Sequence, residues 1–137
     1  MKQHHLLLFV IVFFISCNEK EAYDVKDDLA YEKNKTNLEA MERKNPVYFL
    51  QASGTKRKNF LRQTVVLGKV YNNARIVTYK DVEVLVSFYS KTGAVLEEDR
   101  VTVYEKVLPG GTVRFKEKLF TPKDADSMAF KVLSAKF

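Results

Sequence analysis

Imidazole and thiol are nearly missing from this 137-residue chain, which has two histidines, His4 and His5, and a single cysteine, Cys17. One cysteine cannot close an intramolecular disulfide, so the fold has to be held by its core alone. Any long apolar run is also lacking. Leu6 to Ile15 is ten apolar residues, well short of the roughly 20 that a membrane-spanning helix needs. With Lys2 before it and Ser16 after it, this run has the shape of an export signal. A glycine-rich phosphate loop is missing as well. Leu108-Pro109-Gly110-Gly111 lacks the Lys-Ser/Thr pair and the helix that would have to follow.

What stands at the end of the apolar run is more particular. Phe14-Ile15-Ser16-Cys17 resembles the lipobox of bacterial lipoproteins, with Phe where Leu is commoner. The resemblance implies that Cys17 receives a diacylglyceryl group and becomes the acylated N-terminus once residues 1–16 are removed. Each buried CH₂ contributes about 0.8 kcal/mol, and lasting attachment needs more than one acyl chain, which a di- or triacylated cysteine supplies. Removal of 1–16 takes both histidines away, and acylation occupies the only thiol. A mature chain of this kind has no Ser-His-Asp or Cys-His nucleophile system and no His/Cys zinc site.

The segment from Asn18 to about Asn45 is dense in interleaved charges and has neither Gly nor Pro. Its apolar positions Val25, Leu29, Leu38 and Met41 form two local helical pairs with a gap of nine between them. This pattern predicts a tether over 18–26 and then a helix that stops before Pro46, because the residue preceding proline is pushed out of helical conformation. The simplest role for 17–45 is a solvated spacer holding a domain away from a membrane.

From Pro46 the period changes to two. Val47-Tyr48-Phe49-Leu50 is read as the start of a first strand and 63–71 as a second. Over 81–89 the residues Val82, Val84, Val86 and Phe88 share one face. Lys91-Thr92-Gly93 makes a turn, and 94–104 returns with Val101 and Val103 in step. Leu108-Pro109-Gly110-Gly111 turns into 112–119, with Val113 and Phe115 inward and Arg114, Lys116 and Lys118 in water. A last strand begins at Ser127. Short strands at such spacing, without a long helix among them, predict an all-β chain whose 46–137 segment is an immunoglobulin-like antiparallel β-sandwich.

A family resemblance points the same way. Gly68-Lys69-Val70-Tyr71-Asn72-Asn73, the strand Val82 to Tyr89, Gly93, Leu108-Pro109-Gly110 and Phe115 are similar to the FxLYD-type immunoglobulin-like domains of bacterial lipoproteins. Val86-Ser87-Phe88-Tyr89-Ser90 stands at the place of the F-x-L-Y-D signature and retains its Tyr. The resemblance implies a sandwich with an accessory or interaction role, and it carries over no catalytic residue and no cofactor.

Little in the rest of the chain supports chemistry. Neighbours in a strand point to opposite faces, so Glu97-Glu98-Asp99 does not pair across a substrate as a carboxylate hydrolase requires. Asp124 and Asp126 alone are a poor calcium set. Basic residues are the feature with a distinct functional reading. Lys56, Arg57, Lys58 and Arg62 crowd what should be an exposed turn between the first two strands, and Arg114, Lys116 and Lys118 add a stripe. Anionic lipid headgroups, acidic glycans or an acidic protein face suit an exported protein better than nucleic acid does; Lys on strands also guards sheet edges.

The sequence therefore predicts a non-enzymatic protein lipid-anchored in the bacterial outer membrane, with the periplasmic face preferred over the cell surface. It would act as an interaction module of a larger envelope assembly. The alternative is a lipoprotein that holds an anionic glycan or lipid on the basic turn.

Overall fold

A computed structural model describes residues 24–58 and 64–137 of the chain. Cys17, the apolar run and Arg62 lie outside the described residues, and Lys58 is described by its backbone. Two helices, α1 (Asp24–Lys44) and α2 (Pro46–Phe49), precede six strands: β1 (Leu50–Lys58), β2 (Thr64–Asn72), β3 (Lys80–Tyr89), β4 (Val95–Val103), β5 (Thr112–Lys118) and β6 (Ser127–Lys136). The strands form two antiparallel three-stranded sheets, ordered β1-β2-β5 and β4-β3-β6. The chain is all-β in class, and the two sheets make the antiparallel sandwich that the patterning predicts. Among the described residues, no helix is long and apolar enough to cross a membrane.

Strand β3 forms the centre of the core because every second residue from Val82 to Phe88 is a large apolar one that points inward. Val82, Val84, Val86 and Phe88 are all fully buried, each removing apolar surface worth about 1.5–3 kcal/mol from water. Val101 and Val103 of β4 and Val132 of β6 join them from either side. Facing them, the β1-β2-β5 sheet contributes Leu50, Val66 and Val70, with Val113 and Phe115 packed against the cluster. Two turns are closed as their residues demand. Gly93 and Gly110 adopt positive φ of 81° and 68°, which glycine takes without steric cost.

The first strand departs from the expectation. Val47-Tyr48-Phe49 belongs to the helical turn α2, not to a strand. Pro46 sits in its first turn, where a missing N–H costs nothing, and the Tyr48 amide donates to the Asn45 carbonyl at 3.1 Å. The strand begins at Leu50 and runs through Lys58, so Lys56, Arg57 and Lys58 lie in β1 and not in a turn. Its inward positions Ala52 and Gly54 are small because the other sheet fills that space. A Cβ on Gly54 would lie 2.6 Å from Phe130 Cζ.

Helix α1 begins at Asp24, ahead of the predicted start, and its C-terminal end is more than a spacer. From Lys26 to Asn37 every residue is exposed, yet Glu42 is fully buried. Its Oε1 accepts from the Arg75 amide at 2.7 Å, and its Oε2 accepts from the amides of Ile76 and Val77 at 3.0 and 2.9 Å. The Tyr79 hydroxyl donates to the Glu42 carbonyl at 2.8 Å. Arg43, paired with Glu39 through Oε1, sets its guanidinium 4.7 Å above the Phe137 ring. The helix is thereby fastened to the β2–β3 loop and to the chain's last residue.

Candidate binding face

Antiparallel register decides which side chains share a surface. Across the β1-β2-β5 sheet the outward rows read Arg57–Val65–Lys118, Thr55–Leu67–Lys116, Ser53–Lys69–Arg114 and Gln51–Tyr71–Thr112. Among the described residues, five cations stand on this face and no acid does. The single carboxylate in the three strands, Glu117, has the opposite parity. Among the described residues, none of these cations takes part in an ion pair.

The outer face of the other sheet is built differently. Glu83 meets Arg100 at 3.4 Å and accepts from Ser134 at 3.1 Å. Asp81 meets Lys136 at 3.1 Å, and Glu98 accepts from the Ser87 hydroxyl at 2.7 Å. Opposite charges are interleaved there, and Glu83 and Asp81 each meet a cation. The positive field of the domain is concentrated on one sheet.

A groove of about 530 Å³ runs over the middle rows of the cationic face. Its outward lining comes from all three strands: Ser53 and Thr55 of β1, half-buried Leu67 and exposed Lys69 of β2, and Arg114 and Lys116 of β5. The groove therefore offers apolar contact beneath, hydroxyl hydrogen bonding on one side and fixed positive charge on the other.

The sequence-predicted residues are dispersed by the fold. Lys56 has inward parity, and its ammonium donates to the carbonyls of Ala125 and Asp126 at 2.9 and 3.2 Å. It ties β1 to the loop before β6 and serves the sandwich itself. Arg57 is exposed at the end of the outer face. Arg114, Lys116 and Lys118 are exposed as their alternation requires. Lys69 joins them although no sequence pattern singles it out; its partner across the ladder, Arg114, emerges only from the register. Glu97, Glu98 and Asp99 do not converge, since Glu98 faces outward while Asp99 turns inward with its Oδ2 buried and without a hydrogen-bond partner. Among the described residues, no group of three or more His, Cys, Asp or Glu is placed to hold a metal ion.

Tyr79 is a buried phenol. Burial, and secondarily the Glu42 carboxylate, raise its phenol to about 12 from an ordinary value near 10.

No family model and no curated protein matches the chain. Among solved structures, it is similar to the Salmonella enterica trimeric lipoprotein SadB, with 10% identity and a TM-score of 0.43 over 78% of this chain and 73% of that one.

Proposed function

We propose that the protein is a lipid-anchored, non-enzymatic interaction module of the bacterial envelope, carried on Cys17 in the outer membrane and facing the periplasm. The observation that carries this reading is the seating of Glu42. A helix of 21 residues rises about 30 Å at 1.5 Å per residue. Its far end is hydrogen-bonded into the sandwich, so the helix serves as a stalk for the domain on the Cys17 side of the chain. A rigid stalk beneath a domain with one unneutralised charged face suits docking better than turnover. The lipobox supplies the anchor at its base, and the absence of histidine beyond His5 removes the commonest general base.

Fractionation tests the anchor. The native protein is expected with outer-membrane fractions and in the detergent phase, and Cys17→Ser in the soluble fraction; equal partitioning of the two would refute lipidation. Gentle detergent extraction followed by affinity capture tests the assembly role, which is lost if the protein emerges alone. Protease treatment of intact cells should leave the periplasmic domain uncut.

A further inference from the structure

We infer that the outer face of the β1-β2-β5 sheet is a binding site for an acidic polysaccharide, with sugar rings lying in the Leu67 groove and their anionic substituents held by Lys69, Arg114 and Lys116. The inference deepens the proposed binding role of the domain and is independent of the anchor.

Three features of the face select this occupant. Its charge is of one sign, with no described acid to compete for the cations, so the ligand is anionic. The cations along β5 are two residues apart, about 6.8 Å at strand rise, so they present a line of charge instead of one pocket. That spacing fits a polymer with repeated carboxylate or sulfate groups. Across β2, the groove opposes this line with the hydroxyls of Thr55, beyond half-buried Leu67, and of Ser53, beyond Lys69. Aliphatic contact under a ring, hydroxyl partners at one edge and cations at the other match the three kinds of surface on a uronic-acid sugar. Its volume of about 530 Å³ lies within the usual 300–1,000 Å³ range for small-ligand sites, so it takes a short stretch of chain.

An anionic membrane suits the face less well. None of the large apolar side chains that stand fully exposed, such as Tyr48, Tyr104 or Phe120, belongs to these three strands. Val65 is buried, and Leu67 and Tyr71 are half-buried. Nothing described on the face is poised to enter a bilayer, and the groove is concave where a membrane surface is flat. An acidic protein would use the charges without needing the hydroxyl wall.

The full chain in non-ionic detergent would be titrated with polygalacturonate, neutral dextran, polyglutamate and phosphatidylglycerol-containing vesicles at about 0.15 M salt, where long-range attraction is screened. Polygalacturonate is expected to bind at least ten times more tightly than polyglutamate or the vesicles, and dextran not to bind. The K69S/R114S/K116S variant should lose at least ten-fold in affinity. K33S/K91S/K131S, with the same change in net charge at exposed sites elsewhere, should lose less than two-fold. Ser53→Ala with Thr55→Ala should weaken polygalacturonate about three-fold or more without changing charge. Equal binding of polyglutamate or of vesicles, equal loss in both lysine/arginine variants, or no effect of removing the hydroxyls would each overturn the inference. Capture of an envelope partner together with any of these failures would leave the proposed function standing while removing the glycan.

Discussion

The Tyr79 hydroxyl donates to the backbone carbonyl of Glu42 at 2.8 Å, while the Glu42 carboxylate takes the amides of the loop that leads to Tyr79, the residue just before β3. The contact is reciprocal: the helix end satisfies the loop, and the tyrosine satisfies the helix end. The buried carboxyl group is satisfied by backbone N–H groups and not by a cation, and these hydrogen bonds compensate for lost hydration.

Truncating Glu42 therefore leaves three amides without partners. Each buried unsatisfied N–H costs about 1–3 kcal/mol, and partial access of water to the Arg75 and Ile76 amides reduces the sum. Glu42→Ala is expected to destabilise the protein by about 3 kcal/mol. Glu39→Ala, which removes only the surface pair with Arg43 at 2.7 Å, should cost less than about 1 kcal/mol. Urea denaturation of both variants checks the difference; similar midpoints would mean that the helix end does not bear on the sandwich.

Alkaline pH probes the same junction. Tyr79 has its folded value raised to about 12 above an unfolded value near 10. The folded state then keeps a proton that the unfolded state releases. This contribution is complete below about pH 10 and is lost as pH rises through about 12. Melting temperature should accordingly fall across this window in the native protein and fall less steeply in Tyr79→Phe. The tyrosinate absorbance that disappears in the variant should titrate near 12; a difference spectrum centred near the ordinary value of about 10 would place Tyr79 in water.

How much of this was readable from sequence differs from element to element. Strand β3 was legible because Val82, Val84, Val86 and Phe88 recur at every second position, although Leu85 and the buried Ser87 stand between them. The outward cations of β5 were legible for the same reason. Strand β1 was not, because its inward positions are Leu50, Ala52, Gly54 and Lys56. Small residues make room for Phe130, and a lysine reaches for carbonyls, so no apolar alternation appears. Val47-Tyr48-Phe49 has strand-like composition, but the preceding proline starts a helical turn there. Glu42 is one glutamate in a helix rich in charge, and only the tertiary fold distinguishes it. The cationic face is a property of register, which pairs Lys69 with Arg114 from segments 45 positions apart.

Asn72 should prove as costly to replace as Glu42. Its side-chain amide donates to the carbonyls of Val77 and Val107 at 2.9 and 3.0 Å, and its Oδ1 accepts from the Ala74 amide at 2.8 Å. Asn72→Asp turns the double donor into an oxygen facing two carbonyls, which is repulsive as well as unsatisfied. A loss of about 3 kcal/mol or more is expected, larger than for Asn72→Ser. Equal stabilities of the two variants in urea would mean that the added oxygen meets no repulsion from the two carbonyls.

Two glycines face each other across β1 and β2, Gly54 and Gly68, and they should respond differently to substitution. A Cβ on Gly68 would overlap the Phe115 ring, and its three nearest neighbours are all ring atoms. Gly68→Ala is thus overpacked against a side chain, at about 1–3 kcal/mol, and shrinking that side chain should relieve it. Gly68→Ala with Phe115→Leu is expected to cost at least about 1 kcal/mol less than the sum of the single changes. A Cβ on Gly54 would meet Phe130 Cζ but also the Leu67 carbonyl, both at 2.6 Å. That oxygen belongs to the ladder and cannot be trimmed away, so Phe130→Leu should rescue Gly54→Ala much less. Double-mutant cycles in urea separate the two cases. Equal coupling at both sites would mean that β1 and β2 shift apart as a unit, and strict additivity at Gly68 would mean that the Phe115 ring finds room elsewhere in the core.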